Sequence, residues 1–211
     1  MIKYVAPFHY LTQDLPEKSH AQQTDIACKA GANWIQYRCL TKSDEELKDE
    51  INNIAMICDD WGATLIITDH FHLLDQVDVQ GVHMEDMKAD LAFIRRQIGD
   101  EKTLGASANS FVDIQHIIST GAADYIGCGP FSTTLTKPND YPLLGIQGYR
   151  DLMIQLSDAG IKMPLLAVGG VQINDVKPLL ETGVYGVAVS AAVNLSEDPS
   201  AEIKGFRSYF I

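Results

Sequence analysis

The sequence predicts an α/β protein, a single (β/α)8 barrel spanning residues 1–211, and three observations carry that prediction. Short apolar runs alternate with amphipathic helical stretches eight times, joined by short connections with no linker between them. A length of 211 residues fits one domain and sits slightly below the usual size of such a barrel. Two successive runs late in the chain end in residues suited to gripping phosphate. Leu165-Leu-Ala-Val-Gly-Gly-Val171 closes on a glycine pair, and Gly186-Val-Ala-Val-Ser190 closes on a serine before a helix start. Barrels of this kind bind phosphate with the backbone N–H groups that follow their last two strands.

The elements follow in order. Phe8–Thr12 reads as the first strand, and Gln13–Pro16 as a turn. A helix starts at His20, with Ile26, Ala27 and Ala30 on its apolar side and Gly31 as its end. Trp34–Arg38 is the second strand. Its alternation puts Trp34, Gln36 and Arg38 on one face. A buried glutamine and arginine are costly without partners, so Gln36 and Arg38 are expected to point into the barrel mouth and bind a ligand. Ser43 and Glu46 form a capping box for a helix that runs to Gly62. Ala63–Asp69 is the third strand, ending in a carboxylate.

Val77–His83 is the fourth strand, and Asp90 caps a helix carrying Leu91, Ile94 and Ile98. Thr103–Ser107 is the fifth strand, with Asn109 or Ser110 capping a helix over Phe111–Ser119. The sixth strand starts at Asp124. A helix over Tyr149–Ala159 follows, then the seventh strand, Pro164–Val168. A helix over Ile173–Leu180 with Asn174 or Asp175 near its start comes next. The eighth strand, Gly186–Ser190, and a helix over Pro199–Tyr209 close the chain.

The stretch Asp124-Tyr-Ile-Gly-Cys-Gly-Pro-Phe-Ser-Thr-Thr-Leu-Thr-Lys137 is unusual for a strand and its loop. Gly129-Pro130 stops the strand, because proline has no N–H for the ladder. Thr133, Thr134 and Thr136 then supply hydroxyls, and Lys137 a positive charge. Such a loop suits a phosphate or pyrophosphate group, or is simply a polar loop.

Charge and composition narrow the function. The formal net charge of -12 argues against nucleic acid or an anionic membrane as partner. No run of about 18 apolar residues is present, and the N-terminal residues are too mixed for a signal peptide. Cys28, Cys39, Cys58 and Cys128 lack Cys-x-x-Cys spacing, which fits reduced, buried thiols in a cytoplasmic protein. Asp69-His-Phe-His72 resembles a metal motif. Zinc wants three or four ligands, and His9, His20, His83 and His116 offer no matching spacing, so Asp69 is better read as a ligand for Mg²⁺.

Trp34-Ile-Gln-Tyr-Arg38, Ile67-Thr-Asp69, Gly81-Val-His83, Gly105-Ala-Ser107, Asp124–Pro130, Thr134-Leu-Thr-Lys137, Val168-Gly-Gly170 and Val189-Ser190 together resemble the thiamine-phosphate synthase family. The resemblance covers nearly the whole chain and keeps order and spacing; its most specific part is the Gly-Pro…Thr-x-Thr-Lys block. It implies an enzyme, a transferase that joins hydroxymethylpyrimidine diphosphate to a thiazole phosphate and releases pyrophosphate. It implies Mg²⁺ as cofactor, phosphorylated small molecules as substrates, and leaves room for a homo-oligomer.

By the same resemblance Gln36, Arg38 and Lys137 contact the diphosphate, with Arg38 and Lys137 catalytic. Ser107 holds the pyrimidine, Thr134 and Thr136 touch the substrates, and Gly170, Val189 and Ser190 hold the thiazole phosphate. Asp69 binds Mg²⁺. Thr68, standing where the family often has asparagine, is assigned to the substrate as well. Two further departures lie on the same side. Leu40 replaces a usual lysine, with Lys42 two positions on, and Lys88 stands where a second Mg²⁺ carboxylate is expected. Glu85 or Asp86 is then the substitute, and Asp86 is taken as the second ligand. Two alternatives stay open: a catalytically impaired paralogue that binds thiamine phosphate, and a thiazole-phosphate tautomerase. The second needs an acid–base residue after the fifth strand, where this chain has Asn109.

Overall fold

Eight parallel strands hydrogen-bond in sequence order and the eighth pairs with the first, closing a barrel. This is a computed structural model, and it describes residues 3–133 and 141–211. The strands are β1 (Phe8–Leu11), β2 (Trp34–Tyr37), β3 (Thr64–Thr68), β4 (Gly81–Met84), β5 (Thr103–Ala108), β6 (Tyr125–Cys128), β7 (Leu165–Val168) and β8 (Gly186–Val189). Outside them lie α1 (His20–Lys29), α2 (Asp44–Trp61), α3 (Leu91–Ile98), α4 (Phe111–Ser119), α5 (Gly145–Asp158), α6 (Val176–Leu180), α7 (Ala191–Asn194) and α8 (Pro199–Arg207). No helix among the described residues is long and apolar enough to cross a membrane.

The expected barrel is therefore present, with local differences that have physical causes. The link from β3 to β4 holds only a 3-10 turn, Phe71–Leu73, in place of a full helix. β4 starts at Gly81, four residues later than Val77. Val77 and Val79 are buried, so the segment is apolar for packing, yet it joins no ladder. Instead the Gln80 N–H and side chain bracket Leu65 at the start of β3. α5 begins at Gly145, ahead of Tyr149, because two glycines in its first turn hide the start from a propensity reading. The segment from Ile173 divides into a 3-10 turn and α6, and Gln172 is its N-cap, with Asp175 as the reciprocal partner.

Several caps agree with the sequence. Ser43 N–H donates to Glu46 at the start of α2, and Gly62 ends that helix at φ 64°. Asp90 accepts from Phe93 N–H at α3. At α4 the cap is Ser110, which accepts from Asp113 N–H. All four cysteines are free and buried.

The barrel interior is graded. Val5, Ala6, Trp34, Ile66, Tyr125 and Leu166 fill the lower layer near the N-terminal ends of the strands. Each large side chain there contributes about 1.5–3 kcal/mol of apolar burial. His9 stacks on Trp34 at 4.4 Å and meets the edge of Tyr125 at 5.0 Å. Below the mouth, Asp124 accepts from Lys3, Arg95 and Leu104 N–H, tying α3 to the start of β6.

His9 carries a pH-dependent cost. Its Nε2 is buried with no hydrogen-bond partner among the described residues. Burial, then the facing His83, hold its imidazole well below the usual 6.5, and a hydrogen bond to the Ala6 backbone opposes them. Below that ordinary value the unfolded chain binds a proton that the folded chain refuses. Stability from this group is present above about pH 6.5 and falls as pH drops, by up to about 1.4 kcal/mol per unit. Urea unfolding midpoints measured from pH 7.5 to 5 should fall, and His9→Phe, which keeps the stack, should flatten that slope.

Candidate active site

A cavity of about 360 Å³ opens at the C-terminal end of the barrel. A smaller one of about 40 Å³ lies beneath it, between His9, Gln36, His83, Ser107 and Gly127. The mouth is open because the strands end in small residues there: Gly127 on β6 and Ala188 on β8.

One wall is built on paired charges. β2 alternates inward at Trp34 and Gln36, and Arg38 continues the same face just past the strand. The Arg38 side chain is only 10 % exposed and pairs with Glu85 through two contacts, Nε–Oε1 at 2.7 Å and Nη2–Oε2 at 3.2 Å. This two-pronged pair fixes the guanidinium plane at the cavity. Gln36 donates from Nε2 to Thr68 Oγ1 at 3.0 Å, joining the inner ends of β2 and β3. Thr12 Oγ1 accepts from the Arg38 N–H and contacts His20 Nδ1.

The carboxylates gather next to it. Asp69 follows β3 at φ 61°, a left-handed backbone rarely taken by residues other than glycine. Its Oδ1 accepts from Glu85 N–H at 2.6 Å and Asp86 N–H at 3.1 Å. Asp69 thus draws the acidic turn after β4 onto the end of β3. The oxygen donors of Asp69 and Asp86 fit a hard cation such as Mg²⁺, which needs one or two carboxylates when phosphate oxygens complete its shell. Asp86 and Lys88 both line the cavity and are exposed.

The floor is held by His83. Its Nε2 lies 3.0 Å from Ser107 Oγ and its Nδ1 3.1 Å from Tyr125 Oη. Gly105 makes room for this: a Cβ there would come within 2.2 Å of Tyr125 and 2.5 Å of His83.

The opposite wall is made of backbone. Gly169 and Gly170 have φ 90° and 72°. The loop after β6 packs directly on them, with Phe131 N–H bonded to Val168 O and Ser132 N–H to Gly169 O. Ser190 sits before α7, where its hydroxyl donates to Gln13 Oε1 and accepts from Asn194 Nδ2. Tyr10 donates to Asn194 Oδ1 and completes that buried network. Tyr149 of α5 braces the two adjoining strands, donating to Cys128 O at 2.5 Å and accepting from Val168 N–H at 3.3 Å.

The structure therefore brings Arg38, Ser107, Gly170, Val189, Ser190 and Asp86 to one cavity, with Gln36 directly beneath. Thr68 and Asp69 stand behind them as partners of Gln36 and of the acidic turn. Thr134, Thr136 and Lys137 lie outside the described residues. Sequence reasoning did not foresee the pairing of Glu85 with Arg38 or the part His83 plays in holding Ser107. A glutamate directly after Gly-Val-His-Met, in reach of a strand-end arginine, was the available signal for the first.

A family model described as thiamine monophosphate synthase matches residues 10–193. The chain belongs to that family. A thiamine-phosphate synthase from Phocaeicola vulgatus is 35% identical over 195 residues, covering 92% of this chain and 93% of that protein. One from Flavobacterium johnsoniae is 35% identical over 191 residues, covering 90% and 89%. The solved structure of thiamine phosphate pyrophosphorylase from Pyrococcus furiosus superposes with a TM-score of 0.83 at 24% identity, covering 96% of this chain and 94% of that one. That likeness is one of fold. The glycine pair Gly169–Gly170 and Ser190 line the same cavity as Arg38.

The glycine wall gives a direct test. At Gly170 a Cβ would lie 2.4 Å from Ser132 Oγ and 2.6 Å from Thr133 O, on a backbone that L side chains rarely adopt. Gly170→Ala should cost about 1–3 kcal/mol in thermal or urea unfolding. It should also weaken binding of a phosphate-bearing ligand, measured by calorimetry on the folded variant.

Proposed function

We propose that the chain is a thiamine-phosphate synthase, which joins hydroxymethylpyrimidine diphosphate to a thiazole phosphate with release of pyrophosphate. Family membership over residues 10–193 is the observation that carries this reading. The site supports it chemically, because one wall offers a buried, oriented arginine and the other a glycine-rich backbone, so two phosphorylated groups can face each other.

In this reading Arg38 and Gln36 bind the diphosphate, with Thr68 orienting Gln36. Ser107, set by His83, offers its hydroxyl to the pyrimidine. Gly170, Val189 and Ser190 hold the thiazole phosphate. Lys137 is assigned to the leaving diphosphate, and Thr134 and Thr136 to the substrates, on sequence alone. Asp69 and Asp86 would hold Mg²⁺, which when bound offsets the charge that builds on the departing pyrophosphate.

The C–O bond between the pyrimidine methylene and the diphosphate breaks, and its electron pair leaves with pyrophosphate. The thiazole nitrogen then donates its lone pair to the methylene carbon and forms the C–N bond. No proton moves, so no general base is required. The chain's contribution is to hold the nucleophile close and to place fixed positive charge where negative charge grows. No observation favours the tautomerase or ligand-binding alternatives. Asn109, at the place where a tautomerase needs its acid–base group, has its amide engaged with Gly129 O at 2.5 Å.

Turnover of both substrates with and without Mg²⁺ tests the reading. Product should form with Mg²⁺ and be lost in Lys137→Ala; no product at high enzyme and Mg²⁺ would sink it. Arg38→Lys keeps the charge and loses the planar fork, so kcat should fall by roughly 10²–10³-fold, as for loss of one anion-stabilising donor.

A further inference from the structure

A second cluster of metal-ligating side chains lies where the N-terminus of α2 meets the turn after β3. His72 Nε2 is 2.8 Å from Asp44 Oδ2, and His70 Nδ1 is 3.9 Å from Asp44 Oδ1. One nitrogen from each imidazole and a carboxylate oxygen all lie within 4.8 Å of one another. We propose that Asp44, His70 and His72 form a binding site for a divalent transition-metal ion of the zinc class, separate from the carboxylate site at Asp69.

The donor set sets the chemistry. Two imidazoles and one carboxylate suit Zn²⁺, Ni²⁺ or Cu²⁺, whereas Mg²⁺ prefers oxygen alone. Three protein ligands leave a fourth position for water. A metal at about 2.0–2.2 Å from each donor needs the outer atoms to close by roughly 1–1.5 Å. Rotation of the side chains supplies this, since Asp44, His72 and His70 are 54%, 48% and 28% exposed. The backbone beneath them is already fixed. His70 N–H bonds Thr68 O and Leu73 N–H bonds His70 O, while Lys48 of α2 donates to Gln76 just beyond the turn. The positive end of α2 disfavours a cation, but Asp44, Glu45 and Glu46 crowd its first turn and offset it. A surface hydrogen-bonded pair explains the His72 contact. It does not explain His70, which faces the other oxygen of the same carboxylate from beyond hydrogen-bonding range.

The sequence motif that pointed to a metal, Asp69-His-Phe-His72, thus has a different carboxylate as its third member. Asp69 turns to the backbone of Glu85 and Asp86, and Asp44 of the neighbouring helix supplies the oxygen. This assignment does not depend on the synthase reading.

The test is a Zn²⁺ titration of the purified full-length chain against a chromophoric chelator, in excess Mg²⁺. Binding of one Zn²⁺ per chain is expected, weakened at least tenfold in Asp44→Ala and in His72→Ala, and unchanged in His116→Ala, which alters an exposed histidine on α4. Circular dichroism melting confirms that the variants fold. Equal affinity in the wild type and a His70→Ala/His72→Ala double variant would overturn the proposal. A rival cluster, Asp14, His20 and Cys39, also has its donor atoms within 4.8 Å of one another, and cobalt separates the two. A cobalt spectrum without a thiolate charge-transfer band supports the histidine site. A thiolate band lost in Cys39→Ser places the ion at the rival cluster and overturns it.

Discussion

Closure of eight parallel strands into one ring leaves an interior only a few side chains wide, and everything at the site depends on how that space is filled. Every second residue of each strand points inward, so a single strand writes both the plug and the mouth. β2 shows this with Trp34 in the lower layer, Gln36 above it and Arg38 at the rim. β6 also starts bulky and then falls away, from Tyr125 to Gly127 and Gly129. Bulk below and smallness above convert a packed barrel into a cup without any change of fold.

The two walls of that cup differ in kind. The β2–β4 side uses charged side chains, and these are interlocked. Asp69 positions the backbone of Glu85, and Glu85 in turn orients Arg38. A buried arginine without an anion is costly, so the glutamate serves as a resident counter-charge that a diphosphate can complement or replace. The β7–β8 side is built from main chain and glycine, where the shape of the turn does the recognising. A wall of backbone tolerates side-chain drift; a wall of paired charges does not. Leu40, Thr68 and Lys88 all fall on the charged side, where a change of side chain alters the recognising groups themselves.

Much of this was legible in the sequence. Strand order, the inward face of β2, the caps at Ser43 and Asp90 and the glycine-rich turn after β7 all follow from local rules of period, capping and glycine placement. What escaped has a common cause: it depends on residues far apart in sequence. The Arg38–Glu85 pair joins positions 47 apart, Gln36–Thr68 joins positions 32 apart, and Tyr10–Asn194 spans 184. The extent of β4 was misjudged for a related reason. Val77 and Val79 are buried like strand residues, but burial there comes from packing under a loop, and hydrophobicity alone cannot separate the two. The glycines of α5 hid its first turn because tertiary contacts, not propensity, hold it.

The anchoring of the loop after β6 has a consequence for where α5 begins. Leu144 N–H bonds Pro130 O, and Gly145 N–H bonds Phe131 O, while Phe131 and Ser132 are themselves fastened to β7. The chain therefore leaves the barrel and rejoins it at one clasped point. The start of α5 is thus held against the end of β6 by main-chain hydrogen bonds, so the spacing between these two ends is set by the barrel wall.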